Sequence, residues 1–269
     1  MELKDLPIVC ISLDRRTDRW KNVQAAAAVA NLPVMRVSAV DASQFVAHKH
    51  PAVSLATAHN IFYKMRRSHY EIDAAGAIGC SLSHFKVWKQ LLDSSAPAMI
   101  VFEDDVQIPP DLGLRLQKIL AETPDEWDIL QLQRTEYGKG MNGCKPIKGE
   151  EPWELCTSLM GTWSYIVSRR GAKRLLEKAY PIELHVDAYM AYMARMGHCK
   201  MIWHPLIDLA PFDSGSDIGH GSCTICNVPT NMEKYGVIAM PLQSIFGIMV
   251  MAAVAGGFLS LTLTKCRLR

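Results

Sequence analysis

Apolar runs alternate with helix-forming stretches along the first part of the chain. Residues 7–13 form an apolar run rich in Ile and Val, residues 20–30 are rich in Ala, and residues 34–37 form a second apolar run. β-Branched residues favour strands, whereas Ala favours helices. The pattern therefore predicts that the chain opens with a strand, a helix and a second strand.

The alternation resumes after residues 41–73, which show no firm periodicity and are predicted to be irregular. Apolar positions recur at helical spacing over residues 78–92, and residues 98–102 form a buried strand by their composition. Further helices and strands are predicted at residues 112–120, 127–132, 161–167, 171–179, 186–196 and 200–203. Alternating helices and strands predict an α/β fold with a mostly parallel sheet.

The C-terminal part of the chain has a different pattern. No ionisable residue occurs between Lys234 and Lys265, and residues 242–264 are mostly apolar, which is long enough to cross a bilayer. A buried core helix is the alternative interpretation. We predict a domain at 1–232, a linker at 233–241, a transmembrane anchor at 242–264 and a basic tail at 265–269.

The expected orientation follows from the other end of the chain. The first apolar run is too short for a signal sequence. We therefore expect a membrane protein with a single-pass C-terminal anchor and its domain on the cytosolic side. The positive residues of the tail favour the opposite orientation, but we give more weight to the missing signal.

Charge and cysteine content limit the function further. The net charge of +2 includes three positive residues in the tail, so no basic face for nucleic acid is expected. The eight cysteines are scattered, which predicts free thiols in a reducing compartment. Cys223 and Cys226 form a single C-x-x-C pair that could bind zinc, although an ordinary loop is the preferred interpretation.

Glu103, Asp104 and Asp105 follow directly after the apolar run at residues 98–102. Ligands of open α/β sheets bind at the carboxyl ends of strands. Adjacent carboxylates repel one another, and a divalent cation bound by their oxygens removes that cost. The cluster predicts a metal site suited to a departing diphosphate, with an acidic surface turn as the alternative.

Two other segments carry candidate chemistry. Residues 13–19 follow the first strand and supply three arginines whose guanidinium groups could contact phosphate, or decorate an exposed helix start. Residues 76–84 enter a helix whose N-terminal amides could face a ligand. Their spacing differs from G-x-G-x-x-G, which excludes a Rossmann dinucleotide loop.

The order of these segments resembles that of glycosyltransferase family 25, the lipopolysaccharide and procollagen galactosyltransferase type. Residues 12–19 resemble N-L-D-R-x-x-D-R with Ser12 in place of Asn, and residues 40–42 resemble V-D-G with Ala42 in place of Gly. Residues 76–84 match G-x-x-G-C-x-x-S-H, and 103–105 match E-D-D. Looser matches follow at residues 161–172, 186–187 and 216–218.

The resemblance implies a GT-A type fold and a metal-dependent, inverting transfer of a hexose, galactose or glucose, from a UDP-sugar. The acceptor would be a glycan, a lipid-linked sugar or a hydroxylated protein. It implies Mn²⁺ or another divalent cation on Asp104 and Asp105. Nucleotide-sugar contacts are expected from Leu13, Asp14, Arg15, Arg16, Arg19, Gly79, Ser83, His84, Glu103 and Asp104.

Inversion requires a base that takes the proton of the acceptor hydroxyl. We predict Asp187 in this role, with Glu183 and Asp213 as alternatives, although Asp187 could also be a metal ligand or a helix-start residue. A second hypothesis is a membrane-anchored binding or scaffold protein that keeps the fold without catalysis. The substitutions at Ser12 and Ala42 favour that hypothesis, and the intact acidic cluster argues against it.

Overall fold

The structure is a computed structural model, and it describes residues 1–66, 68–134, 143–212, 217–219 and 222–223. The chain divides into two compact units. The first comprises residues 1–64 and 70–221, and the second comprises residues 65–69 and 222–269. The predicted linker, anchor and tail, together with Asp213 and Cys226, lie outside the described residues.

The first unit is built around an eight-stranded sheet. In chain order its strands are β1 (Ile8–Ser12), β2 (Val34–Ser38), β4 (Ala98–Glu103), β5 (Ile129–Gln131), β6 (Cys144–Pro146), β7 (Glu154–Cys156), β8 (Ser164–Ser168) and β9 (Met201–Trp203). The spatial order is β2-β1-β4-β8-β5-β9-β7-β6. The second unit contains the short parallel pair β3 (Met65–Arg66) and β10 (Ser222–Cys223).

The described residues of the first unit form six α-helices. They are α1 (Thr17–Val29), α2 (Leu55–Tyr63), α3 (Ala75–Asp93), α4 (Leu112–Ala121), α5 (Arg169–Glu177) and α6 (Val186–Arg195). Short 3-10 helices lie at Leu3–Asp5, Ala42–Gln44 and Ala47–Lys49. Among the described residues, none of the helices is both long enough and apolar enough to cross a membrane.

The two faces of the sheet carry separate apolar clusters. Val9 and Ile11 of β1 pack with α3, α5 and α6, whereas Ile8 and Cys10 pack with α1 and α4. Successive side chains of a strand point to opposite faces, which explains this division. The unit is therefore an α/β fold, as the alternating pattern predicted, and its helices cover both faces of the central sheet.

The predicted mostly parallel sheet is wrong, because the sheet is mixed. The pairs β1–β2, β1–β4 and β5–β9 are parallel. The pairs β4–β8, β5–β8, β7–β9 and β6–β7 are antiparallel. A central strand buried on both faces is a continuous apolar run in either direction, so hydrophobic patterning could not distinguish the two.

Two further expectations are corrected. Residues 41–73 are not wholly irregular, because they include α2, whose start is capped by Ser54 accepting a hydrogen bond from Thr57 N. Leu55, Phe62 and Tyr63 of α2 are exposed, so the helix lacks the apolar stripe that a sequence pattern would detect. The prediction of free thiols is wrong for Cys144 and Cys156, which form a disulfide between β6 and β7.

Asp128, just before β5, ties three parts of the first unit together. Its fully buried carboxylate accepts hydrogen bonds from Arg170 Nε at 2.8 Å, Arg174 Nη1 at 2.6 Å and Lys200 N at 2.7 Å. Both arginines belong to α5, and Lys200 precedes β9. The carboxylate therefore joins α5 to the strand ends beneath it.

We expect Asp128→Ala to lower the free energy of unfolding by about 3 kcal/mol, because it leaves buried donors without their acceptor. Glu126→Ala is the matched control, since Glu126 is exposed and lies 3.8 Å from the same Arg170. Its effect should stay within about 0.5 kcal/mol. Urea unfolding followed by tryptophan fluorescence measures both, and equal losses would contradict the assigned role of Asp128.

Candidate functional site

The carboxyl ends of β1 and β4 lie side by side, because the strands are parallel and Ile11 pairs with Glu103. A cavity of about 340 Å³ opens at this edge. Ligands of open α/β sheets bind at such an edge. Its walls come from the segment after β1, the segment after β2, the start of α3, the end of β4 and residues 217–218. The predicted residues in these walls are Leu13, Arg15, Arg19, Ser83, His84, Glu103, Asp104 and Asp105.

The carboxylates after β4 differ in their environments. Asp104 is buried, and its Oδ1 accepts a hydrogen bond from Arg19 Nη1 at 3.1 Å. Burial raises the pKa of Asp104, and hydrogen bonds from Ser12 and Arg19 oppose that rise. Burial and the neighbouring Glu103 carboxylate raise the pKa of Asp105 to about 7.

The side chain of Asp105 has the surroundings that suit a metal ligand. Its Oδ1 is buried and makes no hydrogen bond with the part of the chain that the structure describes. Such buried oxygens need an explanation, and an ion is one of the few available. Asp104 and Asp105 therefore fit the oxygen ligands that a hard divalent cation prefers.

The three arginines after β1 are engaged in ion pairs. Asp217 contacts all three: its Oδ1 lies 3.0 Å from Arg15 Nη1, its Oδ2 lies 3.5 Å from Arg19 Nη1, and Arg16 Nη1 donates to Oδ2. Burial raises the pKa of Asp217, and the hydrogen bonds and charges of Arg15 and Arg16 lower it by more, so that it lies below its ordinary value. Arg15 also pairs with Asp41 at 3.3 Å.

The entry of α3 is fixed by close backbone packing. A Cβ at Gly79 would lie 2.5 Å from Val40 O, so only glycine fits there. Ser83 accepts a hydrogen bond from Val40 N at 2.8 Å and donates to Gly79 O at 2.6 Å. Gly79 and Ser83 thus hold the segment after β2 against α3, and Gly79 does not line the cavity.

His84 and Glu103 form a buried network at the back of the cavity. His84 Nε2 lies 3.1 Å from Glu103 Oε1, and His84 Nδ1 lies 2.8 Å from the Tyr165 hydroxyl. Trp88 Nε1 donates to the same hydroxyl at 2.9 Å, and Thr162 donates to Glu103 Oε1. Burial raises the pKa of Glu103, but the hydrogen bonds from His84 and Thr162 lower it by more, so the net shift is downward.

A second grouping of possible metal ligands adjoins this network. Ligand atoms of Cys80, His84 and Glu103 lie within 4.8 Å of one another. Burial, followed by the charge of Glu103, raises the pKa of the Cys80 thiol well above its ordinary value. A thiol that keeps its proton is a poor metal ligand, so this grouping fits a cation less well than Asp104 and Asp105 do.

Asp187 lies in the first turn of α6 and does not line the cavity. Its Oδ2 accepts a hydrogen bond from Gly161 N and its Oδ1 one from Ala188 N, both at 2.7 Å. Its charge is close enough to raise the pKa of Cys80 in the cavity wall. Glu183, the alternative base, is exposed and lines a different cavity.

The remaining predicted residues lie outside the cavity wall. Arg16 pairs with Asp18 at 3.0 Å as well as with Asp217. Asp14 is largely exposed, and its Oδ2 accepts a hydrogen bond from the Ser38 hydroxyl at 2.6 Å. Among the wall residues that the prediction missed, three are titratable: Asp41, Cys80 and Asp217. All three lie inside the matched motifs, so the motifs could have identified them as candidate site residues.

Comparison with known proteins gives the family. The model described as "Glycosyltransferase family 25 (LPS biosynthesis protein)" matches residues 5–190. Procollagen galactosyltransferase 1-A of Xenopus laevis is 31% identical over 147 residues, which cover 53% of this chain and 23% of that protein. A glycosyltransferase 25 family member of Aedes aegypti is 30% identical over 122 residues, covering 44% of this chain and 20% of that protein.

A third relative carries a different description. The human protein named "Inactive glycosyltransferase 25 family member 3" is 26% identical over 200 residues, covering 69% of this chain and 31% of that protein. The chain thus spans between about a fifth and a third of the length of these relatives. The match over residues 5–190 covers more than half of the chain. The chain belongs to glycosyltransferase family 25.

Proposed function

We propose that this glycosyltransferase has the GT-A type fold and moves a hexose from a UDP-sugar to a hydroxyl group, with inversion and with the help of a divalent cation. Family membership supports transfer of a sugar. A relative named procollagen galactosyltransferase supports galactose over glucose. The acceptor is a glycan, a lipid-linked sugar or a hydroxylated protein.

The observation that carries the proposal is the unsatisfied Oδ1 of Asp105 beside the buried Asp104. These two carboxylates would hold Mn²⁺ or a similar ion. A bound ion of this kind offsets the negative charge that develops on a departing diphosphate. Arg19 orients Asp104 through the 3.1 Å contact at Oδ1.

The cavity supplies the donor site in this proposal. Arg15 is half exposed at its mouth, and Leu13 offers an apolar surface beside it. Arg15 and Arg19 bind the diphosphate by exchanging part of their contact with Asp217. Glu103 remains available through Oε2 for a sugar hydroxyl, because Oε1 already accepts from His84 and Thr162.

Asp187 is the proposed base for the acceptor hydroxyl. Two backbone N–H groups hold its carboxylate in place, and its charge acts on Cys80 in the cavity wall. A positioned carboxylate can take a proton only within hydrogen-bond reach of the acceptor hydroxyl. The proposal therefore places the acceptor between α6 and the cavity.

A non-catalytic role is the second candidate, and the relative named inactive favours it. Ser12 and Ala42 stand where the family pattern has Asn and Gly. Ala42 adjoins the Val40 backbone that Gly79 packs against, and Ser12 bonds to Asp104. Both positions therefore touch the site, so the distinction depends on measured turnover.

We also propose that residues 242–264 anchor the protein in a membrane as a single pass, with the domain on the cytosolic side. The absence of ionisable residues between Lys234 and Lys265 supports the anchor. The disulfide of Cys144 and Cys156 is more typical of the opposite, oxidising side.

Turnover tests the proposal directly. Incubation of the full chain with UDP-galactose and Mn²⁺ should release UDP, and a chelator should abolish the release. Asp105→Asn should lower the rate at least about 100-fold, because it removes an ionised oxygen ligand. Asp111→Asn is the matched control, since Asp111 is an exposed carboxylate paired with Arg115 and should leave the rate unchanged. Chelator-resistant release would remove the metal from the proposal.

Protein stability should reveal the raised pKa of Asp105. Folded Asp105 keeps its proton to about pH 7, whereas the unfolded chain releases it near 3.8. The folded state therefore binds more protons between these values, and the free energy of unfolding falls as pH rises through them. In chelator, the stability advantage of Asp105→Asn over the native chain should be larger at pH 8 than at pH 4.5 by roughly 1–3 kcal/mol.

Thermal unfolding at the two pH values measures this difference. Addition of Mn²⁺ at pH 8 should raise the unfolding temperature of the native chain and leave that of Asp105→Asn unchanged. An ion stabilises the folded state only of a protein that binds it. A pH-independent difference between the two proteins would show that Asp105 is ionised like an ordinary aspartate.

Alkaline carbonate extraction tests the anchor. The full chain should stay in the membrane pellet, and a chain ending at residue 232 should move to the supernatant, because only an apolar segment of this length resists extraction. Recovery of the full chain in the supernatant would contradict a transmembrane anchor.

A further inference from the structure

A line of buried side chains stands behind Glu103, and the chemistry proposed above gives it no role. Trp88, Tyr165 and His84 are each fully buried. They belong to α3 and β8. Hydrogen bonds join Trp88 to Tyr165, Tyr165 to His84, and His84 to the Glu103 carboxylate at the end of β4. A buried polar chain of this kind is costly unless each member is satisfied.

The direction of every hydrogen bond follows from the donors available. The indole N–H of Trp88 can only donate, so the Tyr165 oxygen accepts from it. A phenol carries one proton, and the remaining neighbour of the Tyr165 hydroxyl is His84 Nδ1. The described residues offer the buried phenol proton no other acceptor, so Tyr165 donates to Nδ1, which carries no proton in this arrangement.

The single imidazole proton of His84 then lies on Nε2, which faces Glu103 Oε1 at 3.1 Å. Oε1 also accepts from the Thr162 hydroxyl. Oε2 makes no hydrogen bond with any residue that the structure describes. The network thus fixes one oxygen of Glu103 and leaves the other for a ligand in the cavity.

We infer that Tyr165 and Trp88 are positioning residues, which lock His84 as the neutral Nε2–H tautomer and thereby hold Glu103 in the orientation that sugar transfer requires. The inference rests on the proposed function. It reassigns His84, whose predicted contact with the nucleotide sugar is replaced by a contact with Glu103.

The tautomer of His84 also decides whether Cys80, His84 and Glu103 could bind a metal ion together. With Nε2 protonated and the Nδ1 lone pair accepting from Tyr165, His84 has no lone pair left for a metal ion. A cation at that grouping would have to break the hydrogen bond to Glu103 first. The grouping is therefore part of the positioning network.

Nitrogen NMR of the imidazole rings tests the tautomer without any need for activity. The chain has nine histidines, and the signals of His84 are those lost in the His84→Gln variant. We expect a protonated Nε2 and an unprotonated Nδ1 in the native chain, and a mixture of tautomers in Tyr165→Phe. A protonated Nδ1 in the native chain would overturn the inference.

Kinetics tests the positioning role. Tyr165→Phe should lower kcat for UDP release about 10- to 100-fold, as loss of a supporting hydrogen bond typically does. The KM for the UDP-sugar should change less than about threefold, because the donor contacts remain. Tyr189→Phe is the matched control: its hydroxyl donates to Leu175 O at 2.6 Å, away from the network, and kcat should not change.

A double-mutant cycle shows whether Tyr165 acts through His84. In the His84→Gln background, Tyr165→Phe should cost nothing further. Full turnover in Tyr165→Phe, or an undiminished loss in the His84→Gln background, would overturn the inference.

If Tyr165→Phe does not fold, Trp88→Phe is the second variant, because it removes the indole N–H that orients the Tyr165 hydroxyl toward His84. If the native chain releases no UDP, only the proposed function is contradicted, and the NMR result still decides the tautomer of His84.

Discussion

Negative charge at the carboxyl end of β4 must be compensated, and the three carboxylates there differ in the partners that they have. Glu103 accepts hydrogen bonds from His84 and Thr162, and Asp104 accepts one from the buried Arg19. The Oδ1 of Asp105 accepts no hydrogen bond from the described residues, and burial raises the pKa of Asp105 to about 7 even though the charge of Arg19 opposes the rise. The cost of ionising Asp105 is the cost that a bound cation would offset.

The antiparallel direction of β8 is what brings the supporting groups to this end of the sheet. Phe102 of β4 pairs with Ser164 at the start of β8, so the residues entering β8 lie beside the acidic cluster. Thr162 precedes the strand and Tyr165 is its second residue. A parallel strand in this position would bring its last residues to the cluster instead. The mixed sheet is therefore a requirement of the site.

Sequence patterning predicted the alternating elements and the strand end that carries the carboxylates, because both depend on local apolar runs. It could not predict strand direction, nor α2, whose apolar side chains are exposed. Arg15, Arg19, Glu103 and Asp104, which the motifs contain, line one cavity. The partners of these residues depend on contacts between distant segments, such as Arg15 with Asp217, and periodicity carries no information about such contacts.

The ion pairs of the arginines change how a diphosphate could bind. Asp18, Asp41, Asp104 and Asp217 supply four carboxylates against the three guanidinium groups of Arg15, Arg16 and Arg19, so this set carries a net charge of 3 − 4 = −1. Glu103 adds a further negative charge at the same edge. Coulomb repulsion then opposes entry of a doubly charged donor. A divalent cation held by Asp104 and Asp105 would add two positive charges at this edge and so weaken that repulsion, and donor affinity and metal affinity should therefore be coupled.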